Sequence, residues 1–305
     1  MKRSITKNTP TLLVLFLFCF CGLAQGQVPG KEDSAVGGAP HPKKGIGLST
    51  KKHKDDWQAM VKVSGASWHY SWGDTLPGKE PAGVEFVPMI WECRRTNAAF
   101  FARIKDLTAA KSAHTRKYLL GFNEPDHQEQ ARMTVSQALE AWPYLMQTGL
   151  KLGSPVMASS RDWMQEFMNQ AATNKYRVDF ICVHLYGGPN AASFTNRLEE
   201  IHKAYGKPIW ITEFGVADWK AKSVKENNYT AEQALRFMKE LLPKLDALDY
   251  VERYAWFPAD EDDKSTGISA LFKTDGSLNA LGQCYASHQY RKTKTNKSQG
   301  RKSKP

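Results

Sequence analysis

Over residues 44–287 the sequence predicts an α/β protein, a single-domain (β/α)8 barrel. Three observations predict it. Eight short β-rich runs alternate with helix-like segments, several runs are apolar almost throughout, and the segments between them carry recognisable helix start and stop signals. A run such as Phe180–Leu185 or Ile209–Phe214 has no wet face, which suits parallel strands covered on both sides rather than an antiparallel sheet. A doubly wound open sheet is the structural alternative.

Gly45–Leu48 is the first run, short and glycine-rich. In Ser67–Trp72 the residues Trp68, Tyr70 and Trp72 fall on one face, because successive strand side chains point opposite ways. Glu85–Trp91 ends on Trp91, and Tyr118–Asn123 runs straight into Glu124 and Pro125. Thr134 with Gln137 then makes a capping box, two side chains satisfying free backbone N–H groups reciprocally, so a helix begins there. Lys151–Met157 and Asp179–Tyr186 are the fifth and sixth runs, and in the latter Cys182, His184 and Tyr186 share a face. The helical stretch Thr195–Tyr205 stops at Gly206, which suits a left-handed helix end, and Pro208 blocks its continuation. Pro208–Glu213 is the seventh run, Thr230 with Gln233 caps the next helix, and Val251–Phe257 closes the series with Trp256 near its end.

At 305 residues, 41% of them hydrophobic, the chain can bury a full-sized core and is too apolar for disorder. Its formal net charge of +11 sits at the ends: Lys2, Arg3 and Lys7 open the chain, seven Lys and Arg residues from Arg291 to Lys304 close it, and no acid accompanies them. The remaining 32 basic residues face 31 acidic ones, so the body offers no footprint for nucleic acid. The positive start, the apolar run Leu12–Phe20 and the small residues Gly22, Ala24 and Gly26 have the layout of a secretory signal peptide over residues 1–26, implying a secreted or periplasmic protein. That run is shorter than the roughly 20 residues a spanning helix needs, and no later stretch reaches that length. Residues 27–43 read as a flexible segment and residues 288–305 as a basic disordered tail, with weak salt-sensitive adhesion to an anionic surface as its functional reading. Cys19 and Cys21 leave with the signal peptide; Cys93, Cys182 and Cys284 are too few and scattered for a disulfide framework or zinc site. With no His-Glu-x-x-His, phosphate loop or dinucleotide fingerprint, neither metal nor organic cofactor is expected, and the chain is expected to be a monomer.

In a barrel of this kind reactive groups sit at the C-terminal tips of strands. Glu124 and Glu213 occupy such tips, each after a run of apolar residues that would partly desolvate it. One strand-end glutamate is more often a salt-bridged or capping residue than a catalyst. Two, in the fourth and seventh runs, suit glycosidic hydrolysis, which needs a proton donor for the leaving oxygen and an anion near the developing oxocarbenium ion. Aromatic residues extend this reading, since flat rings cover the apolar faces of pyranoses: Trp68, Tyr70, Trp72, Trp91 and Trp256 are the candidates, while Trp57, Trp142, Trp163 and Trp219 are assigned to packing.

Gly121-Phe122-Asn123-Glu124-Pro125-Asp126, His184-Leu185-Tyr186, Ile211-Thr212-Glu213-Phe214-Gly215 and Tyr254-Ala255-Trp256-Phe257 resemble the pattern of glycoside hydrolase family 128, the endo-acting β-1,3-glucanases of clan A. The similarity runs from about Lys44 to Phe257. It implies a barrel with retaining chemistry and a β-glucan substrate, with Glu124 as general acid/base, Glu213 as nucleophile and Asn123 bonded to the sugar 2-hydroxyl and the nucleophile. His184 and Tyr186 would orient Glu213, and Trp256 would lie beneath the sugar at the cleavage point. Glu92-Cys93 and the basic stretch Lys44–Lys54 depart from the pattern and leave substrate contacts there, and endo or exo action, open. Two alternatives remain at this point: a clan A hydrolase of another β-glycan such as a β-1,4-linked chain, and a catalytically silent glycan-binding barrel.

Overall fold

The computed structural model describes residues 41–291. The signal peptide at 1–26, most of the 27–43 segment and the tail from 292 onward lie outside the described residues. Eight strands alternate with seven α-helices among the described residues: β1 (Lys44–Gly47), α1 (Trp57–Val63), β2 (Trp68–Tyr70), β3 (Glu85–Phe86), α2 (Ala98–Ser112), β4 (Tyr118–Leu119), α3 (Val135–Gln147), β5 (Lys151–Leu152), α4 (Arg161–Thr173), β6 (Ile181–Gly187), α5 (Ala191–Tyr205), β7 (Ile209–Val216), α6 (Ala231–Ala247), β8 (Val251–Trp256) and α7 (Ala280–Ser287). Between β2 and β3 the expected helix is missing. That connection carries Gly73, Pro77, Gly78, Pro81 and Gly83, a composition that breaks helices.

Every strand pairing is parallel, in the order β3-β2-β1-β8-β7-β6 with β4-β5 as a second pair. Single bridges at Met89–Leu120 and Gly153–Phe180 join the two groups. The last strand therefore returns to the first, with Ile46 opposite Trp256, and the fold is a (β/α)8 barrel rather than an open doubly wound sheet.

The glycines of β1 have a packing reason. Trp68 and Tyr70 of β2 point into the barrel, and a Cβ on Gly45 would lie 2.2 Å from the Trp68 ring, one on Gly47 2.9 Å from the Tyr70 ring. Only glycine leaves those rings their space. They belong to an interior cluster with Met89, Leu120, Phe180, Cys182, Trp210 and Ala255, so the barrel is filled rather than hollow. At its base the Arg253 guanidinium lies 4.4 Å from the Trp210 ring and 4.6 Å from that of Tyr118, and bonds Glu85 Oε2 at 2.6 Å. The opposite faces of the strands, including Ile46, Ile211, Phe214 and Tyr254, pack outward against the helices.

Both capping boxes form as expected, Thr134 with Gln137 and Thr230 with Gln233. Gly206 is left-handed at φ 62°, its N–H bonded to His202 O. The domain edges need correction. His41 and Lys43, placed in the flexible segment, are buried, and His288, placed in the tail, donates from Nε2 to Asp246 Oδ2 at 2.9 Å. Lys43 Nζ donates to the carbonyls of Asp246 and Leu248, both at 3.0 Å, and Lys44 Nζ to those of Tyr285, Ala286 and His288 at 2.8–3.0 Å. The carbonyls at the C-terminal ends of α6 and α7, which lack intrahelical partners, thus make these lysines buriable, and burial brings the Lys44 ammonium down to about 8.

Candidate active site

The C-terminal end of β4 continues through buried Leu120 and Phe122 to Asn123 and Glu124. There the backbone turns: Glu124 has φ 45°, a left-handed conformation, and its N–H bonds Val156 O at 2.7 Å. A non-glycine residue held there costs on the order of 1–3 kcal/mol. The turn sends the carboxylate over the barrel mouth, where Glu124 Oε1 lies 2.7 Å from His184 Nδ1.

Glu213 reaches the same place by a different device. Trp210 points into the barrel and Ile211 out of it, so strict alternation would turn Thr212 inward and Glu213 outward. The β6–β7 register slips here: Val183 pairs with Ile211 but His184 with Glu213. Thr212 is the extra residue of a bulge, and bulges re-aim side chains. Glu213 consequently faces inward, receiving Trp72 Nε1–H at 2.9 Å and Tyr70 O–H at 3.2 Å on Oε1, and Tyr186 O–H at 2.7 Å on Oε2. His184 Nε2 stands 3.3 Å from Oε1 without hydrogen-bond geometry.

Glu124, His184 and Glu213 each offer one atom within 4.8 Å of the others. Burial alone would lower the His184 imidazole; the charge of Glu213 and the hydrogen bond and charge of Glu124 outweigh it and hold it above its usual range. The Tyr70 and Tyr186 phenols are pushed far up, by burial first and then by the Glu213 charge, and so remain donors. Among the described residues Glu124 has His184 as its one side-chain partner, and its side chain is 16% exposed against 9% for Glu213.

Asn123 is buried beside the pair. Its Nδ2 donates to Gln130 Oε1 at 3.3 Å while Oδ1 has no partner among the described residues, leaving a buried acceptor open toward the cleft. Asp126 gathers the backbone N–H groups of Ala158, Ser159 and Ser160 at 2.9, 3.0 and 2.7 Å, tying the Glu124 loop to the loop that follows β5. The cleft above measures about 980 Å³ and is walled by Trp72, Trp91, Tyr186, Trp219 and Phe257.

Three of the sequence-predicted substrate contacts lie elsewhere. Trp68 is buried in the barrel interior, its Nε1 bonded to Lys43 O. Tyr70 is buried beneath Glu213 and contacts the carboxylate instead of the cleft. Trp256 is fully buried on the outer side of β8, against Phe214 and Tyr285, with Nε1 donating to Ser269 O at 2.9 Å. The cause is strand parity: Ala255 faces the barrel, so Trp256 faces the helices and Phe257 takes the cleft side. Trp72, Trp91, Asn123, His184 and Tyr186 are where the sequence puts them, on the cleft. Sequence reasoning missed Trp219, which is 64% exposed and stands edge-on to Tyr186 at 5.4 Å. Its position just past the C-terminal end of a barrel strand is the signal that finds it. Trp57, Trp142 and Trp163 are packing residues as expected.

A second group, His41, Asp246 and His288, also brings three possible metal ligands together. His41 Nδ1 accepts the Lys44 N–H at 3.1 Å, so the proton resides on Nε2, the nitrogen a metal would need. The set reads as a hydrogen-bonded clasp.

A family model described as glycosyl hydrolase catalytic core matches residues 46–285. Alkali-sensitive linkage protein 1 of Schizosaccharomyces pombe is 30% identical over 236 residues, 73% of this chain and 40% of that protein; the chain thus spans well under half of that relative. Among solved structures, a family-128 subgroup I endo-β-1,3-glucanase of Amycolatopsis mediterranei in complex with laminaritriose and laminaribiose has TM-score 0.68 and 33% identity, covering 81% of this chain and 99% of its own. A subgroup II endo-β-1,3-glucanase of Sorangium cellulosum has TM-score 0.64 and 26% identity, with 82% and 100% covered. A subgroup III curdlan-specific exo-β-1,3-glucanase of Blastomyces gilchristii has TM-score 0.63 and 30% identity over the same shares. With a barrel, a paired glutamate site and these likenesses in agreement, the chain belongs to the glycosyl hydrolase catalytic-core family and, within it, to glycoside hydrolase family 128.

Proposed function

We propose that this glycoside hydrolase cleaves internal linkages of β-1,3-glucan with retention, Glu124 serving as acid/base and Glu213 as nucleophile. One observation carries the mechanism: an oxygen of each carboxylate lies within 4.8 Å of the other. Retaining enzymes hold their carboxyl groups roughly 5–5.5 Å apart, whereas inverting ones leave roughly 6.5–9.5 Å for a water. The division of roles rests on the donors. Glu213, within hydrogen-bond reach of three donors, Tyr70, Trp72 and Tyr186, is held in one orientation as the nucleophile needs, and Glu124, more exposed and with one side-chain partner among the described residues, suits the acid/base role.

In the first step Glu213 bonds to the anomeric carbon, the glycosidic C–O bond breaks and the Glu124 proton passes to the leaving oxygen. In the second, water attacks the same carbon, gives its proton to Glu124 and releases Glu213. The substrate class follows the relatives crystallised with laminari-oligosaccharides. Export through residues 1–26 and surface retention through the basic tail belong to the same proposal. Incubating the mature chain with β-1,3-, β-1,4- and mixed-linkage glucans and sizing the products tests it. Internal fragments from the β-1,3 polymer alone are expected, and inactive with Glu213→Gln; cleavage of only a β-1,4 chain, or binding without cleavage, overturns it.

A further inference from the structure

The two oxygens of Glu213 are not equivalent. Oε1 accepts from Trp72 Nε1 at 2.9 Å and from Tyr70 at 3.2 Å, but the Tyr70 hydroxyl is also 3.0 Å from Thr212 O and has one proton to give. Trp72 is therefore the dedicated donor to Oε1. Among the described residues Oε2 accepts only from Tyr186, which leaves it a lone pair.

Trp72 is held in place at a cost. Its φ of 56° is left-handed, a region a bulky side chain rarely adopts. The next carbonyl, Gly73 O, is pinned by Met89 N–H at 2.9 Å, and the indole is wedged between Tyr70 at 4.9 Å and Phe257 at 6.0 Å. A ring serving only as a sugar platform needs neither the strain nor an N–H aimed at a carboxylate.

We infer that Trp72 is a positioning residue, whose indole N–H fixes Oε1 of Glu213 and thereby presents Oε2 as the attacking oxygen. This rests on the nucleophile assignment above. When Oε2 bonds to the anomeric carbon, the glycosidic bond breaks, the leaving oxygen takes the Glu124 proton, and Oε1 becomes the ester carbonyl while still accepting from Trp72. When water attacks, its proton goes to Glu124, the C–Oε2 bond breaks and the charge returns to the carboxylate. The other polar groups around Glu213 are Tyr70 on β2, His184 and Tyr186 on β6, and Glu124 beyond β4.

Two variants decide the matter on a soluble β-1,3-gluco-oligosaccharide such as laminarihexaose. Trp72→Phe keeps a flat ring and loses the donor; Trp72→His keeps a ring N–H and loses area. With Oε1 deprived of its dedicated donor, kcat for Trp72→Phe should fall about tenfold. KM should stay within about twofold. Trp72→His should restore part of kcat. A raised KM with an unchanged kcat in Trp72→Phe overturns the inference and leaves a sugar platform, as does a Trp72→His variant no better than Phe. If Trp72→Phe does not fold, the kcat of Trp72→His decides: a value within about threefold of wild type supports the inference and a fall of about tenfold overturns it. Glu213→Gln, assayed in parallel, separates the two readings: if it hydrolyses at the wild-type rate the nucleophile assignment itself falls, and if it is inactive while Trp72→Phe is unaltered only this inference falls.

Discussion

Exchanging the roles of Trp256 and Phe257 makes the sharpest test of the site, because the two neighbours have opposite duties. Trp256→Phe removes an indole N–H bonded to Ser269 O at 2.9 Å, in a fully buried position packed on Phe214 at 5.0 Å and Tyr285 at 6.4 Å. The orphaned carbonyl costs about 1–3 kcal/mol. The void left by the smaller ring adds about 1 kcal/mol. A total of about 2–4 kcal/mol lowers Tm by roughly 5–10 °C in a domain of this size. KM for a laminari-oligosaccharide should hold, since Trp256 does not reach the cleft. Phe257→Ala should do the reverse: its ring is half-buried on the cleft, 5.8 Å from Tyr186 and 6.0 Å from Trp72, so KM rises several-fold, about 1 kcal/mol of lost ring contact, with a smaller change in Tm. Thermal melts and steady-state kinetics on both variants read this out. A Trp256→Phe protein with an intact melt and weakened substrate affinity would refute the parity assigned to β8.

Two further predictions concern residues away from substrate. His69 is wholly buried with both ring nitrogens unpartnered among the described residues, stacked on Trp57 at 5.5 Å and tilted against Phe86 at 5.2 Å, and burial, aided by Arg116, pushes its pKa down to about 4. Because the unfolded chain then binds the extra proton, stability should fall as pH drops from about 6.5 to about 4, by on the order of 3 kcal/mol. His69→Phe should be at least as stable at pH 7 and should lack this loss, as denaturant melts at pH 7 and pH 4.5 will record; an equal acid loss in the variant removes His69 as its source. Asp126→Ala strips three loop N–H groups of their acceptor, and with charge-assisted bonds at roughly 1.5–3 kcal/mol each, kcat/KM should fall at least about tenfold through disorder of the Glu124 loop. Unchanged kinetics would confine Asp126 to the loop's own stability.

Much of this architecture is legible in the sequence because its cues are local. The capping boxes at Thr134 and Thr230, the stop at Gly206 and the apolar runs of β6 and β7 each act within a few residues, and the structure keeps them. The missing helix between β2 and β3 was legible as well, in Gly73, Pro77, Gly78, Pro81 and Gly83, but a strict alternation of strand and helix overrode it. The burial of Lys43 and Lys44 was not, since the carbonyls that receive them come from helices about 200 residues later. A basic pair near a chain end reads as solvated until those partners are known.

Which side chains face the cleft depends on strand parity, and parity is where reading from sequence divides into success and failure. On β6 the alternation Cys182, His184, Tyr186 holds, and the two polar members land on the two carboxylates. On β8 the alternation is equally regular, but its phase is set by Ala255 facing a barrel already filled by Trp68 and Trp210, which forces Trp256 outward. On β7 the phase itself changes. Regular alternation from Trp210 would turn Thr212 inward, and the bulge at Thr212 rotates Glu213 into the reach of Tyr70, Trp72 and Tyr186 instead. Without the bulge a carboxylate would face the helix layer, where Ile211 and Phe214 offer it no donors, at a desolvation cost that ionisation could not survive. The irregular pairing of one residue thus decides whether the barrel has one strand-end carboxylate at its mouth or two, and only two at this spacing can divide proton transfer from covalent attack.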